Sequence, residues 1–170
     1  MPVQPWSTLV LGIGNLLAGD DGLGPSAVER LTTLANELPP GTDVVDGGTC
    51  GLFLLSYLVG VDSLIAVDAT EFGVLPGTVR VLRDLAPTES IMSAPSMSVH
   101  QAGLADLLTA ARLSGCLPPR VTLVGVQPSV IADMTIGLSD AVSAALDVCC
   151  AAVIREAWAA SPAERDLTCA

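Results

Sequence analysis

Thr8-Leu9-Val10-Leu11-Gly12-Ile13-Gly14-Asn15-Leu16-Leu17-Ala18-Gly19-Asp20-Asp21-Gly22-Leu23-Gly24 is the stretch from which the fold of this 170-residue chain is read. A short apolar run, Thr8 to Leu11, ends in a glycine-rich turn, as a buried strand does. From Gly22 onward Leu23, Ala27, Val28, Leu31 and Leu34 recur at helical spacing, so the unit is strand, loop, helix. Working outward, Val44-Val45 closes on Asp46-Gly47-Gly48, and Ser63-Leu64-Ile65-Ala66-Val67 closes on Asp68. These are two more buried strands, each ending in an acid, with a short helix over Leu52–Leu58 between them. Thr78-Val79-Arg80-Val81-Leu82 alternates after Pro76-Gly77 and predicts an edge or antiparallel strand. Ala102–Leu113 predicts a helix with Leu104, Leu107, Leu108 and Ala111 on one side, preceded by a long loop over 84–99 that serves either as a lid or as a mobile connection. Val121–Val126 is a further strand, ended by Pro128. Ser139 stands where it can cap a last helix that turns Val142, Ala145, Leu146, Cys149 and Val153 inward.

Strands that alternate with helices predict a three-layer α/β fold, a mainly parallel twisted sheet with helices on both faces. One domain spans residues 1–170, with a core over about 8–158 and a tail over about 161–170. The hydrophobic share of 51% fits elements buried on both faces, and the aromatic share of 3% makes the core aliphatic. Charges or turn residues interrupt every apolar stretch before eighteen residues, which argues against a membrane span. The first residues, Met1-Pro2-Val3-Gln4-Pro5-Trp6, lack the basic start of a signal peptide, so the expected location is the cytoplasm.

All seven basic residues are arginine, and with eighteen acids they leave a net charge of −11. Such a field repels phosphate backbones and anionic membranes, so neither nucleic acid nor a membrane is expected as a partner. A basic protein segment or a cation fits better, although surplus carboxylates also serve simply to keep an apolar protein in solution. The five cysteines, Cys50, Cys116, Cys149, Cys150 and Cys169, form no CxxC pair and point to a reducing compartment. Cys149 and Cys150 read as small core residues of a helix.

In an open α/β sheet the functional crevice lies outside the carboxyl ends of the strands. That rule selects the loop Gly12–Gly24, Asp68 at the end of a strand, and the single histidine, His100, just before a helix. A dinucleotide fingerprint is a weak match, because Leu17 stands where the third glycine belongs and Asp20 and Asp21 would repel phosphates. A cation site built from Asp21, Asp68 and His100 is the alternative. Two carboxylates and an imidazole suit an exchangeable divalent ion such as nickel or zinc. Each residue also has a plainer use: Asp21 as a helix cap, Asp68 as an acceptor for loop amides, His100 as a helix-start residue bonded to backbone. Nucleophilic catalysis lacks a G-x-S-x-G elbow, and Cys50 is the one cysteine near the expected crevice.

With these residues quoted, the chain resembles the hydrogenase maturation proteases, which trim the C-terminal extension from the large subunit of nickel-iron hydrogenases. The resemblance rests on Leu11-Gly12-Ile13-Gly14-Asn15 with Asp20-Asp21-Gly22 and Gly24, on Asp46-Gly47-Gly48-Thr49 with Gly51, and on Asp68-Ala69. It continues through Pro76-Gly77-Thr78, His100-Gln101 with Gly103-Leu104, Gly125-Val126-Gln127-Pro128 and Gly137-Leu138-Ser139, over about residues 8–155. It implies an endopeptidase, a hydrolase of the carboxylate type, in which Asp21, Asp68 and His100 are both the metal-binding and the catalytic residues. Relatives often carry a glutamate where this chain has the shorter Asp21. The implied metal is nickel supplied by the substrate, with zinc or cadmium as other divalent occupants. The implied partner is the nickel-loaded large-subunit precursor, with no nucleotide involved. Asp46, Gly47, Gly48 and Thr49 would line a backbone cradle for the substrate's C-terminal segment. The alternative function is a nickel-binding maturation chaperone or checkpoint that uses the same three residues without cutting.

Cys50→Ser is expected to retain the implied cleavage, followed as the mass of the released C-terminal fragment. Complete loss of cutting with unchanged folding and precursor binding would mark a thiol mechanism instead.

Overall fold

The computed structural model describes residues 7–85, 99–132 and 134–162, with the side chains of 99–103 outside that description. Most of the long loop expected over 84–99, and the tail beyond 162, therefore lie outside the described residues. The elements run β1 (Thr8–Ile13), α1 (Leu23–Thr33), β2 (Thr42–Gly48), β3 (Ser63–Ala69), β4 (Val79–Leu82), α2 (Val99–Leu113), β5 (Arg120–Val126) and α3 (Asp140–Ala160). They form one sheet in the order β2-β1-β3-β5-β4, parallel throughout except for β4, which lies antiparallel on β5 at the edge. The expected three-layer α/β architecture is thus present. The short helix expected over Leu52–Leu58 is present as a 3₁₀ helix over Gly51–Leu58. One local reading needs correction: α2 begins at Val99, so His100 lies within its first turn and not ahead of it.

Each strand reads as an unbroken apolar run because both of its faces are covered. Successive residues point to opposite faces. Leu9, Leu11 and Ile13 of β1 join Leu64 and Ala66 of β3 beneath Leu54, Leu58 and the α2 residues Leu104, Leu107 and Leu108. Val10, Ile65 and Val67 pack on the other side against Leu23, Ala27 and Leu31 of α1 and Val142, Ala145, Cys149 and Val153 of α3. Gly12 and Gly24 bring α1 onto the backbone of β1, since a Cβ on Gly24 would overlap the main chain of Ile13 and one on Gly12 that of Gly24.

From β1 the chain passes outward to β2, then returns across β1 to β3, so the sheet has its topological switch point between β1 and β3. In sheets of this topology the loops leaving the two strands at the switch point diverge, and ligand sites form outside their carboxyl ends. One side chain ties the loops at this end of the sheet together. Asp20, fully buried, accepts hydrogen bonds from the Ser129 N–H at 2.7 Å, the Val130 N–H at 2.9 Å, the Ser139 N–H at 2.6 Å and the Ser139 hydroxyl at 2.9 Å. Ser139 in turn caps α3, its oxygen accepting from the Val142 N–H at 3.5 Å. The loop after β1 is thereby bolted to the loop after β5. Burial raises the Asp20 carboxyl, but the three amides and the hydroxyl outweigh it and hold the group below its ordinary value.

A lowered carboxyl contributes stability above the unfolded value of 3.8 and loses it as pH falls through the folded value. Asp20→Ala is expected to cost about 3 kcal/mol at pH 7, since it orphans several donors at once. In urea unfolding the gap between wild type and variant should narrow as pH drops below 4. An equal gap at pH 7 and pH 3 would show that the charged form of Asp20 is not what holds the loops.

Candidate active site

Asp21 sits in the 3₁₀ turn Gly19–Gly22 that closes the β1 loop, and Asp68 is the penultimate residue of β3. Both are fully buried, and they lie on either side of the switch point. Asp21 does not cap α1, whose cap position is Gly22. Its Oδ2 instead accepts from the Asn15 N–H at 2.7 Å. Gly14 makes this wrap possible: at φ +140° its missing side chain leaves space that the Asp21 carbonyl fills. The glycine pair in this loop therefore folds the chain around an acid. The amides of Gly14, Asn15, Leu17, Ala18, Gly19 and Asp20 all donate within the protein, which is not the arrangement of a phosphate cradle.

Asp68 has no such support. Among the described residues neither of its carboxylate oxygens has a hydrogen-bond partner. Burial first, and then the nearby Asp21 charge, push its carboxyl well above the ordinary value, with the Ala69 amide pulling weakly the other way without forming a hydrogen bond of good geometry. The alternation of β3 places Asp68 on the same face as Leu64 and Ala66, the face covered by α2. Helix α2 ends at Leu113, shortly before β5 begins at Arg120, and its 15 residues run back about 22 Å toward the carboxyl end of the sheet. Its first turn, which holds His100, therefore belongs to the same face and end of the sheet as Asp68. The His100 side chain lies outside the described residues. Among the described side chains no three of the metal-ligating types converge.

The stretch Asp46–Thr49 borders this loop, because the Gly14 N–H donates to the Gly48 carbonyl at 3.0 Å. Asp46 is exposed and uses Oδ1 to accept from the Gly48 N–H at 2.9 Å, while Gly47 is buried against Leu11 and Leu54. Cys50 is exposed and starts the 3₁₀ helix, whereas Cys149 and Cys150 are buried in α3 with thiols pushed up to about 12 and about 11, chiefly by burial.

Two residues that shape the site escaped the sequence reading. For Asp20 the sequence offers its charge and its place in Asp20-Asp21-Gly22 but not its anchoring role, because its partners lie more than a hundred residues away. Gln127 is nearly buried; its Oε1 accepts from the Phe72 N–H at 2.7 Å and its amide nitrogen donates to Glu71 at 2.9 Å. It fixes the chain that follows Asp68. Its only signal in the sequence was its place in Gly125-Val126-Gln127-Pro128.

Comparison with known proteins adds family relationships. A family model described as hydrogenase maturation protease matches residues 25–156, most of the chain. The hydrogenase expression/formation protein HupD of Rhodobacter capsulatus is 41% identical over 157 residues, covering 91% of this chain and 74% of the relative. The hydrogenase 2 maturation protease of Escherichia coli is 39% identical, covering 82% of this chain and 83% of the relative. Among solved structures, the hydrogenase maturating endopeptidase HybD from Escherichia coli superposes with a TM-score of 0.74 at 37% identity, covering 88% of this chain and 93% of that one.

A raised carboxyl favours the fold at pH values below the unfolded value of 3.8 and opposes it as pH climbs through the folded value. Asp68→Asn, which keeps the shape and removes the charge, is therefore expected to raise the melting temperature by several degrees at pH 8 in metal-free buffer. The gain should shrink toward zero near pH 4. A variant less stable than wild type at pH 8 would contradict the assignment of Asp68 as a strained, unpaired acid.

Proposed function

Because this chain belongs to the hydrogenase maturation protease family, and is a hydrogenase maturation endopeptidase, we propose that it releases the C-terminal extension of a nickel-loaded [NiFe]-hydrogenase large-subunit precursor by engaging the precursor's nickel with Asp21, Asp68 and His100. The observation that carries this reading is Asp68: a buried carboxylate with neither oxygen hydrogen-bonded, beside a second buried carboxylate. An acid in that state costs free energy that a divalent cation would offset. Two oxygen donors and one imidazole are also too few to hold a resident metal tightly. The set suits an ion whose remaining ligands come from the substrate.

In this mechanism burial and the Asp21 charge disfavour the ionised form of Asp68, and the positive charge of the substrate would favour it, with the proton passing to solvent. Asp21, held by the Asn15 amide, keeps a fixed orientation. Substrate charge and substrate position are thereby read together, and one carboxylate is left to accept a proton from the attacking water. Nickel bound in the precursor would be held by Asp21, Asp68 and His100, and would orient the scissile peptide, polarise its carbonyl or activate a water. Asp46, Gly47, Gly48 and Thr49 line the path of the C-terminal segment from the β2 side. Zinc and cadmium are expected to substitute as site occupants. We assign the work to the cytoplasm, where hydrogenase precursors are matured and cysteines stay reduced; Cys50, Cys116, Cys149 and Cys150 are all free. No helix among the described residues is long and apolar enough to cross a membrane.

The test presents nickel-free and nickel-loaded precursor to wild type, Asp21→Ala, Asp68→Ala and His100→Ala, and follows the C-terminal fragment by mass. Wild type should cut only the loaded form. The two acid variants should release no fragment, and His100→Ala should lose at least on the order of 10–100-fold in metal-dependent cutting, the cost of losing even a supporting residue of a metal site. Efficient cutting of nickel-free precursor, or undiminished cutting by any of the three variants, would remove the shared-metal reading.

A further inference from the structure

The two loops that Asp20 joins carry six exposed apolar side chains: Leu16 and Leu17 after β1, and Val130, Ile131, Met134 and Ile136 after β5. Met134 and Ile136 are 87% and 83% exposed, and Leu16 and Leu17 are more than half exposed. Apolar surface gathered in one place in this way marks an interaction site. These residues are held in place. The Thr135 N–H donates to the Leu17 carbonyl at 3.1 Å, the Gly19 N–H to the Thr135 carbonyl at 2.8 Å and the Asp20 N–H to the Val130 carbonyl at 2.9 Å, so the loops form one hydrogen-bonded unit. Met134 is kept at φ +61°, a left-handed conformation that residues with side chains seldom adopt and that persists only where the surroundings impose it.

We propose that this ridge is the docking surface for the folded body of the hydrogenase large-subunit precursor, and that it seats in an apolar recess beside the precursor's C-terminal segment. The proposal rests on the endopeptidase reading above. Continuity with the site carries it: Leu17 and Asp21 belong to one loop, so a protein brought to Asp21 and Asp68 meets the ridge at the same time. Shape selects the folded body over the extended tail. Side chains more than four-fifths exposed form crests and line no groove, whereas an extended segment binds in a groove. A second copy of this chain fits less well, since a two-fold interface sets each patch against itself and two crests do not interlock. Two chains of charge −11 also repel.

The experiment measures KM and kcat for nickel-loaded precursor with wild type, the double variant Met134→Glu/Ile136→Glu, and Leu113→Glu. Leu113 is an equally exposed apolar residue, 84% exposed, at the far end of α2. Thermal midpoints verify folding, and Ile136→Ser replaces the double variant if that fails to fold. Precursor affinity is measured separately by calorimetry with each protein, so that docking is judged even without turnover. Expected are a rise of about tenfold or more in KM and a matching loss of affinity for the ridge variant, with kcat at saturation near wild type and Leu113→Glu unchanged. Unchanged KM and affinity in a folded ridge variant would overturn the docking surface. So would a wild-type dimer that the ridge variant converts to monomer without a change in precursor affinity. Failure of wild type to cut while it still binds precursor would instead remove the endopeptidase reading, and the affinity arm would decide the ridge alone.

Discussion

Four hydrogen bonds onto one buried carboxylate hold the working end of this protein in shape. Asp20 receives two amides from the start of the β5–α3 loop and the amide and hydroxyl of Ser139 at its end. That single acceptor orients the turn carrying Asp21, fixes the cap of α3 and closes the loop between Val130 and Ser139 into a defined arc. Each bond is charge-assisted, so each counts for more than an ordinary neutral pair. That anchor works together with backbone bonds that join the same two connections, from the Gly19 N–H to the Thr135 carbonyl, the Asp20 N–H to the Val130 carbonyl and the Thr135 N–H to the Leu17 carbonyl.

The contrast between three buried acids organises the chemistry. Asp20 accepts four hydrogen bonds and its carboxyl is lowered; Asp68 accepts none among the described residues and its carboxyl is raised. Asp21 stands between them in role, tied through the Asn15 amide yet close enough to Asp68 to disfavour its charge. Acids of the same type thus differ in how readily they ionise purely through what surrounds them. A fold selected for stability alone would place an apolar or a hydrogen-bonded residue at Asp68.

Support for that site comes from backbone packing as much as from side chains. Gly12 and Gly24 set α1 against β1, Gly14 folds the loop around the Asp21 carbonyl, and Gln127 pins the chain after Asp68. The membership of this chain in the hydrogenase maturation proteases gives these features a common purpose. A protease that makes a single cut in one folded partner gains its selectivity from rigid geometry around the cleavage point, and each of these contacts removes freedom there.

The sequence by itself determined the alternation of strands and helices, the burial of both sheet faces, the antiparallel β4, the Ser139 cap and the core placement of Cys149 and Cys150. It also marked Asp21 and Asp68 as acids at the carboxyl ends of strands. Those features depend on residues within a few positions of one another, where apolar periodicity and turn chemistry act directly. It misplaced the start of α2, and so put His100 outside the helix, because helix ends depend on packing and capping more than on periodicity. The strand order, the opposite fates of Asp20 and Asp68, and the joining of the loops after β1 and β5 were decided only by the tertiary structure. Asp20 and Ser139 are separated by 119 residues, and no local pattern records which donors the folded chain brings to a carboxylate and which acid it leaves without any.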